Sequence, residues 1–264
     1  MRERMPPIVK MMDTTVPSLC WNNKLYCGAE VCQDMPANQK ARLSQAFCVY
    51  LEGSRVQVPY RNSRQLPDLQ TYLQFREDSI GWDPFAIIIE HSQGFELDDE
   101  SSSHPMLLEL HKNAKYHIIL SNDIMSFKKE DMQGDFCNVL ALLYFQKLYY
   151  PKRNPDDRAP ILQGAILDAI EMVRERNQNC VTLMEQTRKC NELISKPCID
   201  KYLEGVGWWI SGNLYWHLAS ARFGICATSN IHENAPNMHV DHQLKIDVNK
   251  GAAETVPKEV MTSI

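Results

Sequence analysis

The longest patterned stretch of the chain, HPMLLELHKNAKYHIILSNDIMSFKKED, sets apolar side chains three and four positions apart, a spacing that gathers them on one side of an α-helix and suits no strand. It can run as one long helix from Pro105, since proline is favoured at a first helical position. Other stretches repeat the pattern. ARLSQAFCVYLEG becomes amphipathic from Ala41, and a break is expected at Pro59. LPDLQTYLQFRE is opened by Pro67 and an acidic first turn, stops near Gly81, and restarts after Asp83 and Pro84 as PFAIIIEHS, so one helix is interrupted at SIG. FCNVLALLYFQKLYY is apolar nearly all round and is expected to be buried. An amphipathic segment from Pro160 to Ile194 and a last helix from about Ile199 to Phe223 complete the series. The expected fold is all-α.

With 264 residues and 44% hydrophobic composition, the chain is long enough for one large core. Residues 1–40 read as an irregular lead-in carrying Pro6, Pro7, Pro17 and Pro36, residues 41–226 as the helical domain, and residues 227–264, where the composition turns polar, as a disordered tail. The formal charge of −5, with Lys and Arg scattered, leaves no basic face for a nucleic-acid backbone. No apolar run approaches the ~20 residues that span a bilayer, and MRERMPPIVKMMDTT lacks the apolar core of a signal peptide, so a cytoplasmic location without membrane attachment is expected. Nine cysteines without a CxxC pair fit reduced thiols better than a disulfide framework. Cys27 and Cys32 resemble half a zinc site, but no second pair at ligand spacing accompanies them.

The chemistry is concentrated in Asn122-Asp123-Ile124-Met125-Ser126-Phe127-Lys128-Lys129-Glu130. Residues four and eight apart on a helix project within about 80° of one another, so Asn122, Ser126 and Glu130 line one stripe. An amide carbonyl, a hydroxyl and a carboxylate form a hard oxygen set suited to Mg²⁺. Lys129 stands beside Glu130 as a point charge for phosphate. Such spacings also arise on solvated helix faces; the apolar HIIL just before the stripe favours a helix that enters a core or cavity.

NDIMSFKKE resembles the NSE motif of class I terpene synthases, and the likeness to the fungal type extends both ways along the chain. Arg76 in YLQFREDSIGW is similar to the family's diphosphate-sensing arginine, followed by its helix break at Ser79 to Gly81. GNLYWHLASARF resembles the C-terminal element that ends in Arg-Tyr. The resemblance implies an antiparallel α-helical bundle of the class I type in which Asn122, Ser126 and Glu130 bind magnesium, and Arg76, Lys129 and Arg222 hold the diphosphate of a prenyl substrate. Phe223 stands where the family usually has tyrosine, which removes a hydroxyl contact.

The family's aspartate-rich motif for further magnesium ions should lie upstream of Arg76, and its usual interval carries it past Met1, so a bundle without its earliest helices is expected. Asp98-Asp99-Glu100 is read as a solvated acidic turn, not its replacement. The expected activity is Mg²⁺-dependent ionisation of geranyl or farnesyl diphosphate to monoterpene or sesquiterpene products, catalysed through Asn122, Ser126, Glu130 and Arg76; the alternative is a remnant that binds diphosphate without turnover. Phe75, Trp82, Phe85, Trp208, Trp209 and Trp216 are candidate cavity aromatics, each read first as core packing. His111 and His117 are read as core or surface histidines, and His232, His239 and His242 as part of the tail.

Overall fold

In a computed structural model of the chain, residues 32–63, 66–149 and 158–219 are described, and among them every regular element is a helix. The first, α1 (Ala37–Ser63), runs through Pro59 instead of breaking there. A proline removes one backbone donor. Here it falls in the last turns, so few helical bonds lie beyond it. α2 (Leu69–Ser79) begins at the N-cap Asp68, whose carboxylate accepts the Thr71 N–H, the device by which Asp satisfies a donor that the helix leaves unpaired. α3 (Trp82–Ser92) follows after a two-residue break. The hinge is Gly81, at φ 84° and ψ 14°, a left-handed conformation that costs glycine nothing and other residues a steric penalty.

After the short α4 (Asp99–Ser102), α5 (Pro105–Gln133) forms the spine of the molecule. His104 caps it by accepting the Met106 N–H, and Gly134 at φ 68° ends it. α6 (Val139–Tyr149) is buried on nearly every side, as its composition requires. α7 (Arg158–Arg188) and α8 (Ile199–Ala219) close the series.

Two cores share α5. Around its C-terminal half, Ile119, Leu120 and Phe127 pack with Tyr72 and Phe75 of α2, the apolar face of α6, and Ile161, Ala165 and Ala169 of α7. Around its N-terminal half, Leu107, Leu110, Ala114 and Ile118 pack with Trp82 and Ile89 of α3 and Tyr202, Leu203 and Val206 of α8. Gly205 permits that second contact at close range, because a side chain there would run into Ile89 and Gln93. A smaller cluster joins Leu43 and Ala46 of α1 to Ile87 of α3. Beside it the buried carboxylate of Glu90 is satisfied by two bonds from Arg42, at 2.7 and 2.8 Å, and by the Leu97 N–H.

Asp98, Asp99 and Glu100 hold no position near the stripe of α5. Asp98 caps α4, and Lys196 binds both Asp98 and Glu100 at 2.7 and 2.8 Å, which accounts for the cluster as a surface turn.

Candidate metal and diphosphate site

The stripe Asn122, Ser126 and Glu130 occupies the C-terminal third of α5, where α2, α6 and α8 converge on it. Ser126 is buried and its hydroxyl hydrogen-bonds to Glu130 one turn on. Burial raises the Glu130 carboxyl above its ordinary range, opposed first by the bond from Asn138. Asn122 is pinned from two sides. Its Oδ1 accepts from Arg76 Nη2 at 3.3 Å, and its amide nitrogen lies 3.0 Å from Nε2 of His217 on α8. Nδ1 of His217 is 2.7 Å from the Asn213 carbonyl, so that nitrogen carries the proton and Nε2 is the acceptor. This tautomer leaves the Asn122 carbonyl oxygen turned towards Arg76.

Asp123, one step along the helix, turns the other way and is 2% exposed. Its Oδ2 accepts the Tyr72 hydroxyl at 2.5 Å and the Val139 N–H at 2.9 Å, and its Oδ1 accepts Arg76 at 3.3 Å. Val139 is the first residue of α6, so the carboxylate also sits at a helix N-terminus, the end that favours negative charge. Burial raises the Asp123 carboxyl, and Arg76, Tyr72 and Val139 pull it back. Burial opposes the charge of Arg76 as well, but the surrounding Tyr72, Asp123 and Glu130 more than restore it, so the guanidinium stays protonated. Its Nε is buried and makes no hydrogen bond. A buried, unpaired guanidinium donor beside three hard oxygen ligands suits an oxyanion held with a divalent cation. The donor set therefore fits magnesium together with diphosphate.

Lys129 is half-buried in the last turns of α5. Arg222 and Phe223 lie outside the described residues, as do Cys27 and the histidines at 232, 239 and 242. Of the candidate aromatics, Trp82 and Phe75 are core residues, Phe85 stacks on Trp209 with ring centroids 3.8 Å apart, and Trp208 and Trp216 are exposed on α8. His111 accepts the Tyr202 hydroxyl at 2.6 Å, and burial pushes it and His117 down to about 4, so both are neutral core groups.

Four residues of the site are missed by sequence reasoning: Tyr72, Asp123, Asn138 and His217. Asp123 lies inside the motif, off the stripe, and its position beside Asn122 was the available signal. The other three are recruited from separate helices.

One further grouping of ligand types, His104, Cys190 and Glu192, gathers within 4.8 Å. It is explained by capping: Nδ1 of His104 accepts the Met106 N–H at 3.2 Å, which leaves the proton on Nε2, 2.9 Å from the Glu192 carboxylate. With both nitrogens committed, the ring offers a metal no lone pair.

The bundle is of the class I terpene synthase type. The fold is shared with linalool/nerolidol synthase from Streptomyces clavuligerus (TM-score 0.64, 15% identity, covering 80% of this chain and 71% of that one). It is shared also with 2-methylisoborneol synthase from Streptomyces coelicolor, solved in complex with Mg²⁺ and geranyl-S-thiolodiphosphate (TM-score 0.61, 16% identity, covering 80% and 67%). The chain belongs to terpene synthase family 2, C-terminal metal binding, whose family model matches residues 3–147. Among curated proteins it is similar to alpha-muurolene synthase of Coprinopsis cinerea, 25% identical over 190 residues that cover 72% of this chain and 42% of that protein. A second relative is sesquiterpene synthase Agr3 of Cyclocybe aegerita, 24% identical over 190 residues covering 72% and 50%. The chain thus spans about half the length of the curated relatives it matches. Among the described residues, no helix is long and apolar enough to cross a membrane.

Proposed function

We propose that this chain carries the magnesium- and diphosphate-binding half of a cytoplasmic terpene synthase that ionises geranyl or farnesyl diphosphate to monoterpene or sesquiterpene products. The observation that carries the reading is Arg76: a protonated, part-buried guanidinium on the oxygens of Asn122 and Asp123, with its buried Nε still unpaired. The similarity to fungal sesquiterpene synthases favours the fifteen-carbon substrate.

Asn122, Ser126 and Glu130 would hold one magnesium ion through their oxygens. When bound, the metal neutralises charge on the departing diphosphate. Arg76, Lys129 and Arg222 bind the same leaving group, and their positive charges stabilise the negative charge that develops as the carbon–oxygen bond breaks. His217 keeps the ligand oxygen of Asn122 aimed at that point, while Asp123 holds Arg76 beside it.

Incubation with Mg²⁺ and each diphosphate, followed by gas chromatography and mass spectrometry, tests this. Hydrocarbon or alcohol products that vanish in Asn122→Ala are expected, with farnesyl diphosphate preferred. If neither substrate yields product while magnesium pyrophosphate still binds, the chain is a diphosphate-binding relic and the catalytic reading is wrong.

A further inference from the structure

We propose that Asn138, which lies outside the motif, is a positioning residue that sets the geometry of the metal stripe from behind. The inference rests on the magnesium reading above. Asn138 is completely buried. It is reached through a tight turn after α5: Gly134 is left-handed, and the Asp135 N–H returns to the Glu130 carbonyl at 2.9 Å, which brings the chain back alongside the last turns of the helix.

The side chain then does two things with its two ends. Oδ1 accepts the Leu140 N–H at 2.8 Å, so Asn138 is the N-cap of α6. Because that bond fixes the carbonyl end, the amide nitrogen must face α5. Its two hydrogens go to the Asp123 carbonyl at 2.8 Å and to Oε2 of Glu130 at 2.9 Å, with Oγ of Ser126 at 3.5 Å. Two of the three stripe residues therefore touch one amide whose rotation is locked. Asn138 holds Oε2 of Glu130 from the side of α6 and so fixes the rotation of that carboxylate. Asparagine is specifically suited: Ser, Thr and Asp cap a helix but offer no amide donor, and glutamine is a poor N-cap.

Asn138→Ser separates the two roles, since the hydroxyl still accepts from Leu140 but does not reach Glu130. Asn138→Thr, another N-cap residue, does the same with a hydroxyl of different shape. Each protein is titrated with magnesium pyrophosphate by calorimetry, and its melting temperature is recorded in parallel. The expected result is a cooperatively folded protein whose melting temperature falls by several degrees, because the Asp123 carbonyl loses its buried donor, with affinity weakened about 10–100-fold, the usual consequence of losing a residue that orients a metal ligand. Unchanged or tighter binding in either folded variant overturns the proposal while the magnesium reading stands. No binding by the wild-type chain overturns both.

Discussion

Arg76 and Asp123 form a largely buried ion pair at the site. Removing one partner of such a pair leaves the other charged and desolvated, a cost far above the value of the pair itself. Asp123→Asn retains the shape but presents an NH₂ group to a site where Arg76, Tyr72 and Val139 all donate. We expect it to lower unfolding free energy by about 3 kcal/mol or more in urea denaturation. A loss below about 1 kcal/mol would mean that Arg76 finds its counter-charge elsewhere. Asp123 shows how residue identity misleads at this scale: next to Asn122 of the stripe in sequence, it points into the core and serves the arginine.

At the scale of elements, the interrupted pair α2 and α3 places Arg76 in the last turn before the break and Trp82 in the first turn after it. Without the interruption, one continuous helix could not send Arg76 towards Asn122 and also seat Trp82 in the second core. Gly81→Ala should cost about 1–2 kcal/mol, because a left-handed alanine is strained whatever its surroundings. The open space near Gly81, where no atom other than its neighbours lies closer than 3.8 Å to an added methyl, means that steric collision adds nothing. A urea midpoint unchanged by the substitution would show that the hinge relaxes out of the left-handed region.

For the whole molecule, α5 couples its two cores, and the histidines it buries make folding sensitive to acid. His111 and His117 have folded values near 4 against an ordinary 6.5. Between these values the unfolded chain binds more protons, so their contribution is fully present above about pH 6.5 and is lost as pH falls towards 4. Buried carboxyls such as Asp123 and Glu130, raised by desolvation, work in the opposite sense. Comparing wild type with His117→Gln cancels that shared part: on going from pH 7.5 to 5, the variant should lose about 2 kcal/mol less stability. Parallel stability curves for the two proteins would show that His117 titrates normally.

The sequence by itself determined the helical periods, the start at Pro105, the interruption at Gly81, and the stripe of Asn122, Ser126 and Glu130, because all of these depend on residues within two turns of one another. Pro59 was one exception, since a helix near its end tolerates a proline that would break its middle; the end of α7 at Arg188, short of Ile194, and the start of α1 at Ala37, inside the expected lead-in, were others. Only the tertiary structure decided that Arg76 meets Asp123, that His217 of α8 fixes the Asn122 amide, and that Asn138 caps one helix while holding the stripe of another. Those contacts join residues brought together by the packing of four helices, and the hydrogen bonds they make depend on distances of a few tenths of an ångström that local spacing does not encode.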